Sequence, residues 1–240
     1  MKRTIKHAWL TALPLAMLIT GAATAAALEF SMTAQPVSYP IVREDYRIDG
    51  YGRARFGMTP AQVDAIVGAD YPSAQLADEV NPVERTHTLS VAVAQLAPGP
   101  GPATIHYVFG AASGTLTGVH VDWLVPGMAS EAQQDALKQA GSVLVAGLLG
   151  YRWPPLASMR GRVAAPGVLV LFSGTDTANA GIEVRLDGIG FDVETPQATQ
   201  TAAPIGMVRR RAPPGPARLR LSAIANNSNS DVYRIPAGAF

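Results

Sequence analysis

Cysteine is absent from this chain of 240 residues. Its absence excludes disulfide bonds, thiol catalysis, zinc sites built on thiolates and iron–sulfur clusters. A lipid anchor at the start of a mature exported chain is also excluded, because that anchor needs a cysteine as its first residue. The fold must therefore be held together by packing alone.

Common catalytic and cofactor-binding motifs are also missing from the sequence. There is no G-x-S-x-G turn, no H-E-x-x-H zinc motif, no Walker loop and no Rossmann fingerprint. No cofactor is therefore expected, and the sequence favours a protein that is not an enzyme.

The first 27 residues have the three-part layout of a secretory signal peptide. Three basic residues lie within the first six, an apolar run covers residues 8–19, and an alanine-rich stretch covers residues 21–27. The apolar run is shorter than the ~20 residues that a membrane-spanning helix needs. We therefore expect cleavage after Ala25 or Ala27, a periplasmic or secreted protein, and no transmembrane segment in the mature chain.

Two segments carry the start signals of helices. Thr59, Pro60 and Gln62 supply an N-cap, a proline in the first turn and a capping box, which predicts a helix of about nine residues ending at Gly68. Ser130 begins a similar pattern, which predicts a longer helix to Leu149.

The two helix starts resemble each other. Gly57-Met58 precedes the first helix and Gly127-Met128 precedes the second, while residues 62–66 align with residues 133–137. This similarity indicates a tandem repeat of a helix followed by strands. The alternative is a chance similarity between two alanine-rich helices.

Strand patterns follow each helix. Residues 103–109 and 115–123 flank a glycine-containing turn and predict a hairpin. Residues 181–186 and 189–194 flank Asp187-Gly188, which predicts a second hairpin with a two-residue type I′ turn. The fold class is therefore α+β, an antiparallel sheet with two helices packed on one face.

These patterns divide the chain into five parts. The mature chain begins irregularly and ends in a basic segment, because residues 205–240 hold six arginines and one acid, Asp231. The predicted parts are a signal peptide (1–27), an irregular segment (28–50), an α+β domain in two halves (51–124 and 125–195), a linker rich in Pro and Arg (196–216), and a basic C-terminal strand and tail (217–240).

The segment from Arg55 to Gly68, RFGMTPAQVDAIVG, resembles the opening helix of two groups of small exported bacterial proteins. These are the outer-membrane assembly lipoproteins related to BamE (the SmpA/OmlA group) and the tandem-repeat β-lactamase inhibitor proteins. The resemblance covers about fourteen residues and implies a short helix packed on an antiparallel sheet. Shared fold is a poor guide to activity.

One set of residues offers candidate chemistry. Alternation along the first predicted hairpin places His106, His120 and Asp122 on the sheet face that points away from the core. Imidazoles and a carboxylate are suitable zinc ligands, and the two histidines are expected to form a diagonal cross-strand pair. The alternative is a polar outer face selected by solvent.

A second candidate site is the arginine triplet Arg209, Arg210 and Arg211, whose guanidinium groups could hold phosphates of an anionic surface polymer. The alternative is a solubilising linker. Nucleic acid is not an expected partner, since the triplet lacks interleaved aromatic residues.

Taken together, these features favour an exported, non-enzymatic envelope protein that binds a protein or a surface polymer through its sheet face or loops. Two alternatives remain open. One is a periplasmic hydrolase or metal-binding protein that uses His106, His120 and Asp122. The other is an outer-membrane accessory protein tethered by its basic tail. The sequence does not specify the oligomeric state.

Overall fold

The computed structural model describes residues 43–195, 206–210 and 215–234, all within one compact unit of the chain. The predicted signal peptide, most of the irregular segment that follows it and two thirds of the predicted linker lie outside the described residues. Arg211 and the last six residues of the predicted tail also lie outside them.

The described residues form two helices and a series of mostly short strands. In chain order, the elements within the described residues are β1 (Gly50–Tyr51), β2 (Ala54–Arg55), α1 (Pro60–Asp70), β3 (Gln75–Val80), β4 (His87–Val93), β5 (Ala103–Phe109), β6 (Leu116–Val125), α2 (Glu131–Leu149), β7 (Ser158–Ala165), β8 (Val168–Thr175), β9 (Gly181–Asp187), β10 (Phe191–Thr195), β11 (Gly206–Arg210) and β12 (Ala217–Ile224).

An eight-stranded antiparallel sheet forms the centre of the described unit, in the order β3-β4-β5-β6-β12-β9-β8-β7. The predicted α+β class and the single continuous sheet are confirmed. Each half of the sheet follows one helix and runs from an outer edge to the centre, where β6 pairs with β12. The tandem repeat itself stays a prediction, and superposing the two halves would test it.

Both helices begin where the capping patterns predicted. Thr59 and Gln62 form a reciprocal capping box at the start of α1, and Ser130 and Gln133 do the same at the start of α2. The first helix continues two residues beyond Gly68, to Asp70. Gly68 does not have the positive φ angle with which glycine commonly ends a helix, so the helix passes through it.

The hydrophobic core lies between one face of the sheet and the two helices. Val63 and Val67 of α1 and Leu137 of α2 join a single buried cluster with the inward side chains of the strands. Strands contribute every second residue to this face, as their alternation requires. The largest fully buried strand side chains are Trp123, Tyr107, Phe109, Phe172, Ile105, Leu186 and Leu219.

The predicted hairpin around Asp187-Gly188 is wrong. Gly188 has a positive φ angle, but Asp187 remains in the β9 ladder, and β9 lies between β8 and β12. Strand β10 pairs instead with β11, in a separate two-stranded sheet. The apolar alternation of β9 suits any neighbour with a matching buried face, and β12 provides one from farther along the chain.

The predicted linker and tail also need correction. Part of the linker, residues 206–210, forms β11. The predicted C-terminal strand is present as β12, but it lies in the middle of the sheet and is therefore not part of a basic tail. Leu219 is fully buried, so β12 belongs to the core of the domain. The α+β domain therefore extends past residue 195 to include β12. No helix within the described part of the chain is long and apolar enough to cross a membrane.

Candidate binding face

The sheet face opposite the two helices is polar, and we call it the open face. It is formed by the side chains of β4, β5, β6, β12 and β9 that point away from the core. The polar and charged residues of the open face are Thr88, Ser90, Thr104, His106, His120, Asp122, Glu183, Arg185, Asp187, Arg218, Arg220 and Ser222.

The centre of the open face holds an ion pair between two neighbouring strands. Arg220 lies directly across from Asp122. Its Nε donates to Asp122 Oδ1 at 2.7 Å and its Nη2 donates to Oδ2 at 2.6 Å. This two-point contact is the strongest geometry available to an arginine and a carboxylate. It fixes both side chains in one orientation.

Further ion pairs extend this arrangement towards β9. Arg218 donates from Nε and Nη2 to Asp187 Oδ2 at 3.0 and 2.8 Å. Arg185 contacts Asp187 on the same strand and lies 4.0 Å from Glu183. Three arginines therefore face three carboxylates, and the formal charge of this array is zero. We call these six residues (Asp122, Glu183, Arg185, Asp187, Arg218 and Arg220) the charge array.

Asp122 is the most deeply buried member of the charge array, with 8% of the residue exposed. Burial by itself raises the pKa of a carboxyl group, but the hydrogen bonds from Arg220 and His106 oppose it and hold the pKa of Asp122 well below its usual range. The carboxyl group is therefore ionised throughout the physiological pH range.

The structure brings together the three residues predicted as a site. His106 and His120 lie directly opposite each other across β5 and β6, rather than on a diagonal. Ser90 Oγ lies 2.8 Å from His106 Nδ1, and His106 Nε2 lies 3.6 Å from Asp122 Oδ2. Ser90, His106 and Asp122 therefore form a line across three strands, and the sequence analysis did not include Ser90.

His120 has a different environment from His106. Burial, assisted by the nearby positive charge of Arg220, lowers the pKa of His120 to about 4. The ring is therefore neutral at pH 7. Its Nδ1 atom is buried and has no hydrogen-bond partner within the described structure. His120 lines two cavities of about 330 and 250 Å³ at one end of the open face.

The geometry around Asp122 leaves little room for a metal ion. Both carboxylate oxygens already accept hydrogen bonds from Arg220. Among the residues that the structure describes, no group of three or more histidine, aspartate or glutamate side chains is placed to hold a metal.

The predicted arginine triplet lies elsewhere. Arg209 and Arg210 are in β11, whose backbone pairs with β10 outside the eight-stranded sheet. The basic C-terminal segment also offers fewer unpaired arginines for binding an anionic partner than its composition indicated. Arg218 and Arg220 form ion pairs inside the charge array rather than lying in a free basic tail.

Sequence reasoning did not predict the charge array. Its members come from β6, β9 and β12, and Arg220 is 98 residues away from Asp122 along the chain. The alternation of charged and apolar residues over residues 182–187 and 218–221 was the available signal, since it predicts two strands with a charged face. Comparisons with protein-family models, curated proteins and solved structures find no match for this chain.

Proposed function

We propose that this chain is an exported, non-enzymatic protein that binds a protein partner through the open face of its sheet. The observation that carries this proposal is the charge array, which lies at the centre of a face on which neither helix packs. Solvent alone would favour polar residues on such a face. It would not require ion pairs spanning three strands and anchored on a buried carboxylate.

The balance of charge in the array favours a protein partner over an anionic polymer. The three arginines are matched by three carboxylates, so the centre of the open face has no excess positive charge with which to hold a polyanion. A partner with interspersed charges of both signs would complement it instead.

The rigidity of the array also supports a binding role. Arg218 and Arg220 each donate two hydrogen bonds to a carboxylate, while about 30% and 27% of these side chains remain exposed. Side chains that are already ordered lose less conformational entropy on binding. The face therefore offers polar groups that are both accessible and fixed in position.

Export is part of the proposal and rests on the N-terminal sequence. The resemblance of residues 55–68 to exported BamE-related and β-lactamase inhibitor proteins supports the same location. Mass spectrometry of the protein purified from its host is expected to find a mature N-terminus at Ala26 or Leu28. An intact Met1 on the native protein would contradict export.

Binding can be tested with a variant that blocks the open face beside the charge array. Leu124 lies on this face beside Arg218 and is 51% exposed, while Val143 is 55% exposed on α2. A tagged Leu124→Arg protein is expected to lose a partner that both the wild type and Val143→Arg retain in extracts of the host envelope. Equal recovery of the partner with both variants would refute the proposal.

A second candidate function follows from the line of Ser90, His106 and Asp122. A histidine side chain placed between a serine hydroxyl and a carboxylate is the arrangement that activates the nucleophile in serine hydrolases. This candidate ranks second because Asp122 is already paired with Arg220 and lies 3.6 Å from His106. A fluorophosphonate probe that labels the wild type but not Ser90→Ala would support hydrolysis, and failure to label the wild type would oppose it.

A further inference from the structure

We propose that copies of this chain associate head to tail, with the β3 edge of one copy pairing with the β7 edge of the next. The occupant of each edge is therefore a second copy of the same chain. This inference is independent of the proposed function, because the open face and the two edges are different surfaces.

The two edge strands are unusually exposed. Strands β3 and β7 lie at opposite ends of the eight-stranded sheet, and every residue in both strands is exposed. An edge strand presents backbone N–H and C=O groups that can pair with another strand. Each edge also exposes apolar side chains, which include Leu76 on β3 and Val163 on β7.

The edges carry opposite charges. Strand β3 contains Asp78 and Glu79, whereas β7 contains Arg160 and Arg162. Asp78 contacts His87, but neither arginine forms an ion pair within the described residues. Like charges therefore oppose pairing of β3 with β3 or of β7 with β7, while pairing of β3 with β7 joins opposite charges.

Strand directions permit this pairing without turning either copy over. Neighbouring strands of the sheet are all antiparallel, and the sheet has an even number of strands, so β3 and β7 run in opposite directions. A second copy laid beside the first in the same orientation then presents β3 antiparallel to β7. The helices of both copies stay on the same face of the extended sheet.

The side-chain faces give one register in which charges and apolar groups both match. Asp78 and Leu76 pair with the inward residues Leu89 and Val91, which places them on the helical face of β3. In the proposed contact between two copies, Asp78 of one copy pairs with Arg160 of the next, which also lies on the helical face.

On β7, Arg160 pairs with Phe172 and Val163 pairs with Leu169, which places both on the helical face. Gly161 lies between them with a φ of 66°. In the neighbouring strand, β8 shifts its register against β9 at Leu171, between Val170 and Phe172. In the proposed ladder between two copies, we take Gly161 as the one extra residue of a bulge on β7.

With Asp78 opposite Arg160 and Gly161 as the extra residue, Leu76 falls opposite Val163. Glu79 falls diagonally across from Arg162, on the open face. Opposite charges and apolar side chains both stabilise cross-strand pairs. Because the two surfaces differ, this is a heterologous contact, which generates either a ring or an open filament.

The test uses two variants of the mature chain with reversed edges. One carries Asp78→Lys and Glu79→Lys, so both of its edges are basic, and the other carries Arg160→Glu and Arg162→Glu, so both of its edges are acidic. Sedimentation velocity over a range of concentrations at low salt is expected to show association of the wild type. Each variant alone should associate about tenfold more weakly or not at all.

An equimolar mixture of the two variants restores every opposite-charge contact and is expected to associate like the wild type. Asp64→Lys, an exposed change on α1, is the matched control and should not alter association. Circular dichroism of each variant checks the fold. A wild type that stays monomeric at all concentrations, or a mixture that does not associate, would overturn the proposal.

Discussion

Replacing Arg220 with methionine is expected to destabilise the fold, because it removes the guanidinium group that neutralises a buried carboxylate. Breaking a buried ion pair by removing one partner typically costs about 3–5 kcal/mol. Here Arg218 lies 3.8 Å from Asp122 and His106 lies 3.6 Å from it, so both can compensate in part. We therefore expect a loss of about 2–3 kcal/mol in the free energy of unfolding.

Urea unfolding at pH 7, followed by circular dichroism, measures this loss. The matched control is Arg162→Met, an exposed arginine on the β7 edge, which is expected to change stability by less than about 0.5 kcal/mol. The double variant Asp122→Asn with Arg220→Met is expected to be less destabilised than the sum of the two single variants.

The same pair predicts a pH dependence with a definite sign. Burial would raise the pKa of Asp122, but Arg220 and His106 hold it below its unfolded value of about 3.9. The stability that the pair contributes is therefore fully present above the unfolded pKa, and it is lost as the pH falls below that value towards the lower pKa of the folded state. In Arg220→Met the pKa of Asp122 rises, so the difference from wild type should shrink below about pH 4. Equal losses in the Arg220 and Arg162 variants, or a difference that does not change with pH, would refute the reasoning.

Three further predictions concern one residue of the open face, one turn and the core. Burial and Arg220 lower the pKa of His120 to about 4, below its unfolded value of about 6.5. The contribution of neutral His120 to stability is therefore complete above pH 6.5 and is lost as the pH falls towards 4. His120→Leu should remove up to about 3 kcal/mol of this acid sensitivity, and identical profiles of stability against pH for the wild type and the variant would contradict this. Gly188→Ala should lower the melting temperature more than Gly127→Ala does. Both glycines have a positive φ, but of the two only Gly188 is placed so that an added Cβ would meet a backbone carbonyl. Equal losses of thermal stability in the two variants would contradict this. Leu219→Ala should lower the free energy of unfolding in urea by about 2–5 kcal/mol, and Leu124→Ala should lower it much less. The reason is that Leu219 is fully buried whereas Leu124 is 51% exposed. Similar losses in the two variants would place β12 outside the core.

Local structure was predictable from the sequence where a short motif determines it. The capping boxes fixed both helix starts because an N-cap side chain and a glutamine three residues later satisfy each other's backbone partners. The hairpin of β5 and β6 was predicted for a similar reason, since its turn and its alternation are contiguous. That hairpin alone was enough to place His106, His120 and Asp122 on one face.

Long-range pairing was not predictable in the same way. The pattern of Asp187-Gly188 favoured a hairpin with β10, yet β9 pairs with β12, which is 30 or more residues away. A period-two pattern shows which face of a strand is buried but does not identify the neighbouring strand. The charge array depends on that pairing, so it could not be seen before β12 was placed between β6 and β9.

The most direct test of the proposed function is site-specific photo-crosslinking in the native host. A photoreactive amino acid at Ala92, which is exposed on the open face next to Thr104, is compared with the same amino acid at Val143 on α2. Binding through the open face predicts one discrete protein adduct from position 92 and none of that mass from position 143. The same adduct from both positions, or from position 143 alone, would contradict binding through the open face.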